Sequence, residues 1–162
     1  MSEWLFQRFS EFGGRPFLAD HEGLVHYTAL HDRIEAYTDQ LRQAGVGAGH
    51  VVALIGDYSL DGIAALMALF RIKAIAAPIA FASTDETALR LQEAQARWQL
   101  EAGEKFNLKA IEPPEASHPY MEKLAEEQRA GLILFSSGST GRPKAMIHDA
   151  DGLLAPFQKK RA

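Results

Sequence analysis

The chain has 162 residues, 47% of them apolar and 23% charged, with a formal net charge of -4. That composition excludes a disordered segment, and the length suits one domain with a real core rather than two complete ones. The mild acidity gives no electrostatic support for nucleic-acid binding, and a chain without cysteine has no disulfide, thiolate metal site or thiol nucleophile, as fits a reducing cytoplasm.

The opening MSEWLFQRFSEFGG has acidic residues among its aromatics and no basic start before an unbroken apolar run, so it does not read as a signal peptide. Trp4, Leu5, Phe9 and Phe12 recur at helical spacing, which predicts a short amphipathic helix over 3–12 closed by Gly13 and Gly14. PFLAD and LVHY read as two short strands around the turn-forming HEG. Thr28 is placed to cap a helix whose Leu30, Ile34, Tyr37, Thr38 and Leu41 share one side, with Gly45, Gly47 and Gly49 turning the chain after it.

VVALIG from Val51 is a continuous apolar run of the kind buried on both faces of a parallel sheet. Ser59 caps the next helix, LDGIAALMALFR, and AIAAPIA supplies another buried strand, so the rhythm is βαβ. A further helix starts at Ser83 and Thr84 and runs to Ala94. RWQLEAG and NLKAIE predict short strands, and EPPEASHP a polar surface connection. A last helix over 120–129 leads into LILF. Arg71, Lys73 and Pro78 interrupt the longest apolar stretches, so none is long enough to span a bilayer. The fold class expected is α/β, a mostly parallel layered sheet with flanking helices.

The stretch LILFSSGSTGRPK, residues 132–144, carries the chemistry. In an open α/β sheet the ligand site lies beyond the carboxyl ends of the strands, where residues 136–144 sit if 132–135 is a central strand. Gly138 and Gly141 allow close backbone approach, so successive N–H groups can converge on an anion while Ser136, Ser137, Ser139 and Thr140 add hydroxyls. Arg142 and Lys144 add positive charge, with Lys144 held just after Pro143. A P-loop counted from Gly138 would need glycine at 143 and a hydroxyl at 145, but Pro143 and Ala145 stand there. The dinucleotide fingerprint fails at Thr140 and Pro143. The apolar AMI after Lys144 predicts a return strand, with the loop as a hairpin tip.

LFSSGSTGRPKA, residues 134–145, resembles the phosphate-binding signature of the adenylate-forming superfamily: acyl-CoA synthetases, nonribosomal-peptide adenylation domains and luciferases. GRPFLAD and the stretch from Val25 to Phe81 are similar to the same family's N-terminal region, so the resemblance covers nearly the whole chain. PKAMIHDADGLL looks closer to the acyl-CoA synthetase branch. The resemblance implies a reaction in which a carboxylate attacks the α-phosphate of ATP with Mg2+, giving acyl-adenylate and pyrophosphate, followed by thioester formation on CoA or a carrier protein. It assigns Ser136, Ser137, Gly138, Ser139, Thr140, Gly141 and Lys144 to the nucleotide phosphates. It also makes residues 1–162 a single incomplete N-terminal domain, with 1–45 a helix-strand-strand-helix lead-in and 46–162 the α/β phosphate-loop subdomain.

Motifs that the family carries after this loop do not occur: no aromatic-Gly-x-Thr-Glu, no Thr-Gly-Asp, and no C-terminal domain with a catalytic lysine. Phosphate contacts without adenine, ribose and lysine groups cannot position the α-phosphate, and positioning supplies most of the acceleration in such transfers. The expectation is an N-terminal fragment without a complete catalytic set, inactive alone, that ends inside the helix after the return strand. The alternatives are a non-catalytic self-associating or partner-binding module and one half of a split ligase. If later strands are missing, the aromatic face of Trp4, Phe6, Phe9 and Phe12 and one sheet edge lose their cover, which favours a homo-oligomer.

Other polar groups read as structural. His21, His26 and His31 are five apart and align on no helix or strand face. His148 beside Asp149 is an incidental neighbour rather than an acid/base pair, and Asp57, Tyr58 and Asp61 belong to a turn and helix cap. Lys159, Lys160 and Arg161 suit a helix C-terminus.

Overall fold

The computed structural model describes residues 3–20, 23–112, 117–136 and 142–159. Helix α1, Glu3–Phe12, runs into a small antiparallel pair, β1 (Pro16–Asp20) and β2 (Gly23–His26). Helix α2 follows over Tyr27–Gln43, with Leu30, Ile34, Tyr37, Thr38 and Leu41 buried, the side that the 3.6-residue spacing selects.

The start of α2 departs from expectation. His26, not Thr28, holds the N-cap position, and no side chain caps the helix. Its first amides already have partners: Tyr27 N–H donates to the Arg15 carbonyl at 3.1 Å and Thr28 N–H to the Gly13 carbonyl at 3.0 Å. The backbone of the preceding turn thus replaces the cap. Tyr27 leaves the strand to become a hub, its ring 4.9 Å from that of Phe12, 5.1 Å from Phe17 and 5.7 Å from Phe9.

This hub also corrects the expectation that the aromatic face of α1 stands bare. Phe6 is buried, Phe9 and Phe12 pack on Tyr27, and Trp4 lies under the Arg8 guanidinium, 4.8 Å from ring centroid to carbon.

The larger sheet has six strands in the order β6-β5-β3-β4-β7-β8. Its middle is parallel: β3 (Val51–Ile55) pairs with β4 (Ile75–Ile79) and β5 (Trp98–Glu101), and β4 pairs with β7 (Gly131–Ser136). Both edges are antiparallel, with β6 (Asn107–Ala110) on β5 and β8 (Lys144–Asp149) on β7. The fold is α/β with a mixed sheet flanked by helices. The strand that feeds the serine-rich loop is second from an edge rather than central, with the predicted return strand as its outer neighbour.

All five residues of β3 are buried, as expected of a strand covered on both faces. On one face Val52, Leu54 and Ala76 meet α2, α3 (Leu60–Arg71) and Ala150 of α6 (Ala150–Leu154). On the other, Val51, Ala53, Ile75 and Ile133 meet Ala94 after α4 (Thr84–Glu93) and Met121 and Leu124 of α5 (Pro119–Glu126). Ser59 and Ser83 cap α3 and α4 as predicted, their hydroxyls accepting from the amides of Gly62 and Glu86.

Two helices are shorter than predicted. α5 stops at Glu126 because Gln128 turns the chain at φ 52° and Arg129 N–H returns to the Leu124 carbonyl, which excludes Arg129 from the helix. α6 ends after five residues and gives way to a 3-10 turn over Ala155–Phe157, so Lys159 lies past both rather than in a longer helix. The end of the described chain is tied to α1, where Arg8 donates to the carbonyls of Phe157 and Gln158. Among the described residues no helix is long and apolar enough to cross a membrane.

Candidate functional site

Parallel β3, β4 and β7 all end on one side of the sheet, at Ile55, Ile79 and Ser136. The β7–β8 ladder runs in unbroken register from Gly131 opposite Asp149 to Ser136 opposite Lys144. Directly opposed residues of an antiparallel pair project from the same face. Ser136 and Lys144 therefore project from one face at the end of the β7–β8 ladder, at the carboxyl end of β7. Lys144 is exposed, and Arg142 is exposed just before it.

Of the residues the sequence assigns to phosphate, Ser136 and Lys144 are brought together in this way. Ser137, Gly138, Ser139, Thr140 and Gly141 lie outside the described residues. A hydroxyl donor and a cation facing one another where three strands end is a donor set matched to phosphate oxygens. Among the described residues no group of three His, Asp or Glu side chains is placed to hold a metal ion.

Sequence reasoning missed a cavity at the same end of the sheet. An open cleft of about 250 Å3 is lined by Leu54, Ile63, Leu66 and Pro78, with Asp57 and Tyr58 at the turn before α3. Two letters signal it. Gly62 brings α3 against the Asp57 carbonyl so closely that an added Cβ would sit 2.4 Å from that oxygen. Pro78 has no N–H, and the β4–β7 ladder ends two residues before it, at Ala76 opposite Leu132.

Asp61 and Asp149, which the sequence also singles out, both have partners in the fold. Asp61 lies in the first turn of α3 and takes an ion pair from Arg33 at 3.2 Å. Asp149 is ion-paired to Arg129 through Oδ2. That bond is the leading cause raising the Arg129 pKa, with Asp151 adding to it. His50 is pushed below its ordinary value, first by burial and then by the charge of Arg97.

Residues 5–160 match the family model described as AMP-binding enzyme. The chain is 33% identical over 133 residues to phenyloxazoline synthase MbtB of Mycobacterium sp. (strain MCS), covering 76% of this chain and 11% of that protein. It is 24% identical over 163 residues to 2-succinylbenzoate--CoA ligase of Bacillus cereus, covering 91% of this chain and 32% of that one. In structure it resembles the N-terminal subdomain of Klebsiella oxytoca NpsA, solved in complex with 3-hydroxyanthranilyl-AMSN. The TM-score is 0.69 and the identity 21%, over 92% of this chain and 40% of that one. The chain thus spans a minor part of the length of the relatives it matches. With a family match across nearly all of its residues, the chain belongs to the AMP-binding, adenylate-forming enzymes.

Proposed function

We propose that this chain supplies the nucleotide-phosphate grip of an AMP-forming ligase of the acyl-CoA synthetase type. In the complete reaction a carboxylate oxygen bonds to the α-phosphorus of ATP while the bond to pyrophosphate breaks. A thiol of CoA or of a carrier protein then takes the acyl group and releases AMP. Residues 46–162 are the part that carries the grip. Ser136, Ser137, Gly138, Ser139, Thr140, Gly141 and Lys144 hold the phosphates by hydroxyl, backbone amide and ammonium donors, and Mg2+ arrives with the nucleotide.

The observation that carries this reading is the opposition of Ser136 and Lys144 at the hairpin tip, beyond the ends of three parallel strands. The residues present bind and orient phosphate; they include no group that aligns a carboxylate with the α-phosphorus. The chain by itself therefore binds nucleotide and does not adenylate.

Calorimetric titration with Mg-ATP and with pyrophosphate tests it. Binding should weaken ten- to a hundredfold in Lys144→Ala, about what loss of a charge-assisted hydrogen bond costs, and weaken also in Ser139→Ala/Thr140→Ala. ATP–pyrophosphate exchange should be undetectable with the chain alone. No heat with either ligand, from protein folded by circular dichroism, overturns the reading.

A further inference from the structure

The sheet supports the end of β7 from one side only. Its ladder with β4 stops at Ala76 opposite Leu132, two residues before Pro78, whose ring leaves no N–H to give. From Ile133 to Ser136 the ladder partner of β7 is β8 alone, itself the outermost strand. A two-stranded ribbon is a weak support by itself, so the direction of Ser136 and Lys144 depends on what packs against its faces. On their own face the next opposed pair, Leu134 and Met146, forms a bare row, 42% and 44% exposed.

The other face carries Phe135 opposite Ala145, next to the Ser136–Lys144 pair, and both pack on the part of the core that α4 and α5 cover. Over the Phe135 ring lies the guanidinium of Arg90, its carbon 5.9 Å from the ring centroid, within reach of a cation–π attraction. Arg90 belongs to the last turn of α4 and is tied back by an ion pair to Glu86 in the first turn. The Glu86 amide is in turn held by the Ser83 cap at 3.3 Å. Ser83, Glu86, Arg90 and Phe135 thus form one connected path from the start of α4 to the end of β7.

Packing alone does not account for an arginine at this place. The side chain is 23% exposed, and its Nε is buried with no hydrogen-bond partner among the described residues. A buried donor left unpaired costs free energy that an apolar side chain would not, so the group asks for a role that its charge can fill. We propose that Arg90 is a positioning residue of the phosphate site: by clamping Phe135 from α4 it fixes the end of β7, and with it the direction in which Ser136 and Lys144 meet a bound pyrophosphate group. Arg90 acts through the ring and touches no phosphate itself. Resting on the ligase reading, this deepens it by naming a residue on another element through which the site is held.

The test is calorimetric titration of the whole chain with pyrophosphate. Arg90→Met, which keeps the stem and removes the cation, should weaken binding about three- to tenfold, the scale of a cation–π contact. Arg90→Gln takes its place if circular dichroism shows that Arg90→Met does not fold. Arg90→Lys returns a cation to the ring and should recover affinity to within about twofold of the parent. The decisive comparison is made in Phe135→Leu. There the loss of the Arg90 cation should cost nothing further, because the path runs through the ring, whereas a direct phosphate contact or a general loosening of the fold gives equal losses in both backgrounds. Parent-like affinity in Arg90→Met, no recovery in Arg90→Lys, or additive losses in Phe135→Leu overturns the proposal. A parent that binds no pyrophosphate overturns the ligase reading and this inference with it, so the parent titration tells the two failures apart.

Discussion

Tyr37 of α2 and Gly103, 66 residues later in the connection between β5 and β6, exchange two hydrogen bonds through one hydroxyl. The Tyr37 O–H donates to the Gly103 carbonyl at 2.9 Å, and the Gly103 N–H donates to the same oxygen at 3.2 Å. The ring is buried and tilts against Phe106 at 6.1 Å, so the first long helix is fastened to the far strands of the sheet by both packing and polar bonds.

Tyr37→Phe keeps the packing and removes both bonds. Gly103 then loses a partner for its amide and its carbonyl, and because Gly103 is only half-buried the expected loss is about 1 kcal/mol, that of an ordinary hydrogen bond. Urea unfolding should show a lower midpoint with an unchanged m-value; a midpoint equal to that of the parent would show the pair to be incidental.

The same tyrosine predicts the alkaline limb of stability. Its pKa is raised from 10.0, first by burial, so the folded state favours the neutral phenol. Its contribution is fully present below pH 10.0 and is lost as pH rises through the folded value. Stability of the parent should therefore fall above about pH 10 more steeply than that of Tyr37→Phe, read as chemical-denaturation midpoints across the alkaline range.

On the acid side His50 acts with the opposite sign. Its pKa is lowered from 6.5, first by burial and then by Arg97, so the neutral ring is favoured in the fold, where Nδ1 accepts from the Gly47 amide at 3.4 Å. That contribution is present above pH 6.5 and is lost as pH falls through the folded value. His50→Gln should flatten the decline of stability below pH 6.5, and Arg97→Gln should move the His50 ring titration, followed by NMR, upward toward 6.5.

Arg129 joins the end of the α5–β7 connection to the start of α6 through Asp149, with the buried Asp151 two residues on. Arg129→Ala leaves those carboxylates without the guanidinium. The expected cost is about 1–2 kcal/mol, toward the low end of values for partly buried pairs because the Arg129 side chain is 35% exposed. Hydrogen exchange should quicken first in β8 and α6; protection unchanged there would refute the role.

Gly49 is held at φ +75°, and a Cβ added to it would sit 2.4 Å from the Cβ of Ala125 in α5. Gly49→Ala combines backbone strain with a clash, for an expected loss of about 2–4 kcal/mol. Gly47→Ala, which meets no atom within 4 Å, is the control and should fall within about 0.5 kcal/mol of the parent.

Local pattern and local chemistry settled much of this protein from the sequence alone. The buried side of α2 from Leu30 to Leu41, the caps at Ser59 and Ser83, the fully buried β3 and the hairpin around residues 136–144 are all short-range consequences of spacing, side-chain capping and turn chemistry. The motif over 134–145 also pointed to the family by resemblance, and the family match over residues 5–160 bears that out. Tertiary structure decided what depends on residues far apart in the chain. Whether α2 needs a cap was decided by the carbonyls of Gly13 and Arg15, where α5 ends by the left-handed turn at Gln128, and whether the aromatics of α1 are covered by the position of Tyr27. The bare Leu134–Met146 row is of the same kind. Strand alternation says that those two side chains share a face, but only the length and placement of α3 and α6 determine that this face is left open beside Ser136 and Lys144, since burial is set by three-dimensional neighbours and not by period.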